Sequence, residues 1–176
     1  MKHLKKLFKT PSQLLSLTRE QVQRVNLTSQ IPKWVIFALL ILSLIGFSDS
    51  SYLTFKHYQG EIPPCSILEG CEVVTTSEYS IVGGVPVALL GALFYLSVFL
   101  FTFLYFDSQN PKFLVLAALL TPFGFIASVL FVYIQLFVLG AICVYCMGSA
   151  VTSTLLFVGG LLILKRMSWT LEQLDN

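Results

Sequence analysis

Ala141-Ile142-Cys143-Val144-Tyr145-Cys146-Met147-Gly148-Ser149-Ala150 sits inside a stretch, Phe113 to Leu164, that carries no charged residue. One membrane crossing takes about 20 residues, so this stretch is too long for a single spanning helix and must turn back once. Gly140 is the natural place for the turn. The quoted residues then open a second apolar helix, with a Cys-x-x-Cys pair in its first turn. Two thiols at that spacing share one face of a helix and are close enough to close a disulfide.

The rest of the chain fits the same class. Of its 176 residues 56% are hydrophobic and 11% charged, and the mean hydropathy is +0.81. Soluble domains carry about 25% charged residues, so the composition is that of an integral membrane protein. Working outward from Gly140, four spans are expected: about Trp34 to Phe55, Pro86 to Phe106, Phe113 to Val138, and Ala141 to Leu164. Asp107 to Lys112, with its Asn-Pro pair, is a short polar turn. Residues 1–31 form a basic N-terminal segment, 32–166 the four-span domain and 167–176 a short polar tail. Leu14, Leu15, Val22 and Val25 give the first segment the pattern either of a short amphipathic surface helix or of a solvated tail.

Basic residues set the orientation. Seven Lys or Arg up to Lys33, then Lys112, Lys165 and Arg166, put ten of the eleven on one side of the membrane. That side is the cytoplasm, and both termini lie there. The loop 57–85, with Cys65 and Cys71, and the Gly140 turn fall on the opposite side. All four cysteines therefore face one compartment, the oxidising one. Asp49 is the one charge within the first span. It is either a functional carboxylate or, among Gly46, Ser48, Ser50 and Ser51, part of a helix already leaving the bilayer.

Three chemistries suit four such cysteines: a redox relay, two structural disulfides, or a metal site of four thiolates. A bridge within one helix closes a tiny loop and stabilises little, which favours redox use. Cys143, nearest the helix start, gains most from the helix dipole, and Cys146 is one turn deeper, toward the bundle interior. Cys65 and Cys71, in a loop with Pro63, Pro64 and Gly70, are expected to be mobile enough to meet a soluble protein and then the helix pair. No phosphate loop, Ser-His-Asp set or His-rich metal motif is present, and His3 and His57 stand apart.

The order of these features is specific. Cys65 and Cys71, Ser77 six residues on, Tyr79, Gly84-Val85-Pro86, Gly91, and then Cys143-x-x-Cys146 resemble the vitamin K epoxide reductase family, in particular its bacterial members. The resemblance covers about Tyr52 to Ala150. It implies an all-α integral membrane protein, a four-helix transmembrane bundle around a quinone site. It also implies catalytic roles for Cys65, Cys71, Cys143 and Cys146. Cys65 would exchange with a reduced partner protein, Cys71 would attack the Cys143–Cys146 disulfide at Cys143, and Cys146 would stand next to the quinone. Ser77 matches the family's serine beside the quinone head group. Val87 stands where animal members carry an asparagine that binds substrate, and Ala150 where they carry a tyrosine, so a plain ubiquinone or menaquinone is expected rather than an epoxide.

The implied partner is a thioredoxin-fold, DsbA-like protein. It is expected to be a separate chain, since only ten residues follow Arg166. The implied location is a bacterial plasma (inner) membrane, with the active site facing the periplasm or exterior. Two alternatives are a DsbB-type oxidase, in which the Cys-x-x-Cys pair comes first in the chain, and a non-catalytic four-span protein with structural disulfides.

Overall fold

The computed structural model describes residues 31–64 and 70–175, with side chains as far as Ser168. The expected N-terminal segment, apart from Ile31, and Cys65 lie outside them. Four helices are long and apolar enough to cross a membrane. They are α1 (Lys33–Gln59), α3 (Val87–Ser108), α4 (Pro111–Tyr133, continued as a π-helix over Ile134–Leu139) and α5 (Val144–Asp175). Between α1 and α3 lie a short helix α2 (Cys71–Thr76), a 3-10 turn (Glu78–Ser80) and a two-stranded antiparallel hairpin. Its strands β1 (Ile81–Val82) and β2 (Val85–Pro86) pair Ile81 with Pro86 and Val82 with Val85.

Local chemistry places the ends of these helices. α1 stops at Gly60, whose φ of 68° is the left-handed conformation that glycine tolerates. The N–H groups of Gly60 and Glu61 donate to the carbonyls of His57 and Lys56, a Schellman closure that satisfies the last turn. α4 begins with Pro111 in its first turn, and the Asn110 side chain accepts from the Lys112 N–H at 3.2 Å. Each helix runs past its apolar stretch, since backbone bonding need not stop where the bilayer does. Thus α1 continues to Gln59, and the polar tail expected at 167–176 is helical to Asp175.

The four long helices form a closed ring of contacts: α1 on α3, α3 on α4, α4 on α5 and α5 on α1. Leu39, Tyr95, Val98, Leu114, Leu156 and Ile163 fill the interior. Lipid is as apolar as these side chains, so close backbone approach must supply much of the packing. Gly46 leaves room for the Tyr95 ring, and Gly160 for Thr121, and in each case a Cβ would overlap its neighbour. Thr121 has a second task. Pro122 has no N–H for the Ala118 carbonyl, and the Thr121 hydroxyl donates to it instead at 2.8 Å. Hydroxyls also tie helix to helix, with Ser128 on Ser153 at 2.6 Å and Tyr95 on Thr152 at 3.0 Å. Phe37, Leu104, Phe123, Val129 and Leu161 point outward, a distribution suited to hydrocarbon and not to water.

Candidate functional site: a cysteine cluster beside an apolar cavity

The site is built where α4 ends. Its last turn widens to a π-helix, and Gly140, with φ 59°, reverses the chain. The Ala141 N–H donates back to the Gln135 carbonyl at 3.0 Å. Cys143 is the capping residue of α5, its carbonyl accepting from the Met147 N–H at 3.0 Å. Its own N–H donates to Gln135 Oε1 at 2.9 Å. Gln135 is buried, and without it a backbone donor beside the reactive thiol would have no partner in the protein. Sequence reasoning missed this residue. The available signal was a lone amide in an otherwise apolar stretch, eight residues before Cys143.

On the loop side, Gly70 lies directly on the backbone of Ile142. A Cβ at position 70 would come within 2.5 Å of the Ile142 nitrogen and 2.6 Å of its oxygen. Only glycine permits this approach, and it sets the first residue of α2, Cys71, in one buried cluster with Val74 and Cys143. From Gly70 onward the loop is therefore docked rather than loose. A second tie comes from inside the Cys-x-x-Cys pair. The Tyr145 hydroxyl donates to the Pro64 carbonyl at 3.3 Å, and its ring lies 5.5 Å from that of Tyr52.

The cysteines differ in state. Cys71 is engaged in a disulfide, whereas Cys143 and Cys146 are free thiols. A hydrogen bond from the Cys146 thiol is the main influence on Cys143 and brings its pKa down to about 7 from an ordinary 9.0. Backbone N–H groups of Cys146 and Tyr145 act in the same direction, against burial and the charge of Asp49. Near neutral pH about half of Cys143 is therefore thiolate, the form that attacks or leaves in disulfide exchange.

Cys146 does not share the Cys71 side alone. It also lines a cavity of about 450 Å³ bounded by all four long helices and by the loop. Ser77, at the end of α2, and Val87, at the start of α3, line the same cavity, so the loop side and the Cys-x-x-Cys turn meet there. Leu90, Phe94, Phe123 and Phe131 supply apolar wall, while His57, Ser77 and Ser80 add polar groups. The volume lies in the ordinary range for small-molecule sites, about 300–1,000 Å³. A planar, mostly apolar ring with two carbonyl oxygens suits such a lining, with Cys146 as the redox-capable side chain on the wall. Ser77 donates its hydroxyl hydrogen to the Val74 carbonyl at 2.8 Å, so toward the cavity its oxygen offers an acceptor. Val87 offers only shape. Phe123, largely exposed on the outer surface of α4, also lines the cavity, which connects it to the lipid-facing side. Among the described residues no cluster of three or more His, Cys, Asp or Glu could hold a metal ion.

No curated protein matches the chain. The family model for the vitamin K epoxide reductase family matches residues 37–160, from the first turns of α1 to the middle of α5. With that match spanning the bundle, the hairpin loop and the Cys-x-x-Cys turn, the chain belongs to the vitamin K epoxide reductase family.

Proposed function

We propose that the protein is a quinone-dependent thiol oxidase that reoxidises a DsbA-like thioredoxin-fold protein and so drives disulfide formation in exported proteins. The observation that carries this reading is the division of labour at the Cys-x-x-Cys turn. Cys143 is buried with Cys71, and Cys146, one turn on, lines the cavity.

The relay balances as follows. A dithiol partner passes two electrons to a Cys65–Cys71 disulfide and leaves oxidised. The Cys71 thiolate attacks Cys143 Sγ of a Cys143–Cys146 disulfide, releasing Cys146, and Cys65 then displaces Cys143 to restore its own disulfide. The inner pair now holds two thiols and the outer pair a disulfide. Cys71 in a disulfide beside free thiols at Cys143 and Cys146 corresponds to this point in the cycle. A quinone in the cavity supplies an acceptor for two electrons and two protons. Cys146 Sγ borders the space it would occupy, Val87 and Phe94 shape that space, and the apolar walls exclude water.

Ubiquinone and menaquinone both suit the lining. The charge bias of the loops supports cytoplasmic termini and an active site on the periplasmic or outer face of a bacterial plasma membrane. Free thiols at the inner pair, Cys143 buried and Cys146 half-buried, argue against a purely structural role for them. In cells without another such oxidase, Cys143→Ala or Cys146→Ala leaves the DsbA-like partner reduced. A partner that stays oxidised in both variants excludes the relay.

A further inference from the structure

Asp49 is the one carboxylate within the first span, and the relay leaves it unused. Its Oδ2 is buried and has no hydrogen-bond partner among the described residues. An ionisable group left so is costly to keep in an apolar bundle. Its place on α1 is specific. Tyr52 and Leu53, three and four residues on, share its face of the helix. The Tyr52 ring meets Tyr145, inside the Cys-x-x-Cys pair, and Leu53 lines the cavity with Cys146. Asp49 thus stands behind the junction between the inner thiols and the cavity.

From the start of α5, Cys143, Tyr145 and Cys146 lie within its electrostatic reach. On α1 itself the other titratable groups are Lys33, at its far end, Tyr52, Lys56, His57 and Tyr58, and Lys56 is paired with Glu61 at 2.5 Å. Val87 to Phe106 on α3 and Phe113 to Tyr133 on α4 carry no charge, and the Tyr95 phenol is bound to Ser149 and Thr152.

We propose that Asp49 is the proton acceptor of the inner pair, taking a thiol proton as Cys143 and Cys146 are oxidised and returning it toward the cavity. This rests on the relay proposed above. In that step two S–H bonds break and one Sγ–Sγ bond forms. Two electrons and two protons leave the pair, and the quinone takes up two of each to give quinol. Asp49 carries one of the protons, and the other passes by His57 and Ser77 on the cavity wall. Without the carboxylate the Cys143 thiol ionises more readily, because a negative neighbour is gone, yet oxidation of the pair by quinone slows, because a proton carrier is gone.

The two opposed effects make the test. In quinone-free protein, the pH profile of Cys143 alkylation by iodoacetamide is measured for wild type, Asp49→Asn and Asp49→Glu. Quinol formation from a short-chain quinone analogue is then followed over a single turnover. Asp49→Asn lowers the alkylation midpoint below that of wild type and slows the single turnover roughly tenfold or more, while Asp49→Glu restores both toward wild type. A structural defect would depress both reactivities together. An unchanged midpoint, or a lowered midpoint with an undiminished turnover, overturns the proposal. Should Asp49→Asn not fold, infrared difference spectra of wild type between dithiol and disulfide states decide instead. A carboxyl band that changes with oxidation supports the role, and its absence overturns it. Wild type that forms no quinol at all refutes the relay itself, a separate outcome from any Asp49 result.

Discussion

The Cys146 thiol is the main reason that Cys143 ionises near pH 7, so replacing it has a calculable effect. In Cys146→Ala the hydrogen bond to the Cys143 thiolate is gone, while burial, which opposes ionisation, and the two backbone N–H groups, which favour it, remain. The midpoint should rise from about 7 toward the ordinary 9.0. At the full shift the thiolate fraction at pH 7 falls from about one half to about 1%, roughly a 50-fold loss. The more basic thiolate is intrinsically the better nucleophile. With a Brønsted slope of about 0.4–0.5, two units recover roughly six- to tenfold. The net result is a fall of roughly five- to eightfold in alkylation at pH 7, and a gain of roughly six- to tenfold well above both midpoints. The two pH profiles must therefore cross.

The assay is timed alkylation with peptide mapping, which reads Cys143 apart from the other cysteines, with Cys146→Ser as a control that keeps a short hydrogen-bond donor. Parallel profiles that never cross, or an unshifted midpoint, would refute the claim that one thiol tunes the other. The same sign governs stability. A thiol with a lowered folded pKa contributes stability above its unfolded midpoint, near 9, and loses that contribution as pH falls through about 7.

Two further substitutions test how the site is held. Gly70→Ala pushes a Cβ onto the Ile142 backbone and costs on the order of 1–3 kcal/mol in docking α2. Trapping of a Cys71–Cys143 mixed disulfide should fall by roughly five- to 150-fold, whereas undiminished trapping would show that the contact does not set the alignment. Gln135→Leu leaves the Cys143 N–H buried without its acceptor, a loss of about 1–3 kcal/mol. Thermal unfolding followed by circular dichroism should show the lower transition, and an unchanged transition would mean that another group satisfies this donor.

Much of this fold is written in coarse features of the chain. An uncharged run too long for one crossing, a polar turn at Asp107 to Lys112 and a hydrophilic loop are enough to give four apolar helices. The ordered set Cys65, Cys71, Ser77, Gly91 and Cys143-x-x-Cys146 points to the family. The fine structure of the site is less legible. A π-helix differs from an α-helix by one residue of hydrogen-bond register, and nothing in Ile134 to Leu139 announces it. The bond from Gln135 to Cys143 follows from that widened turn, so it is hidden for the same reason. The loop reads as flexible because it is polar and rich in Pro and Gly. Yet Gly70 is there for close backbone contact, and a short helix, a 3-10 turn and a small hairpin order the residues after it. Composition does not distinguish a glycine that loosens a chain from one that lets two backbones touch.

The central claim, that electrons leave the chain through Cys146, is tested most directly by stoichiometry. Purified protein carrying Cys65→Ala and Cys71→Ala, with the inner pair reduced, is mixed with a short-chain quinone, and quinol is followed by absorbance together with the Cys143–Cys146 disulfide by mass spectrometry. The relay requires one quinol per chain, formed in step with that disulfide, and none from Cys146→Ala. Quinol formed at an undiminished rate by Cys146→Ala, or a disulfide that appears without quinol, would contradict it.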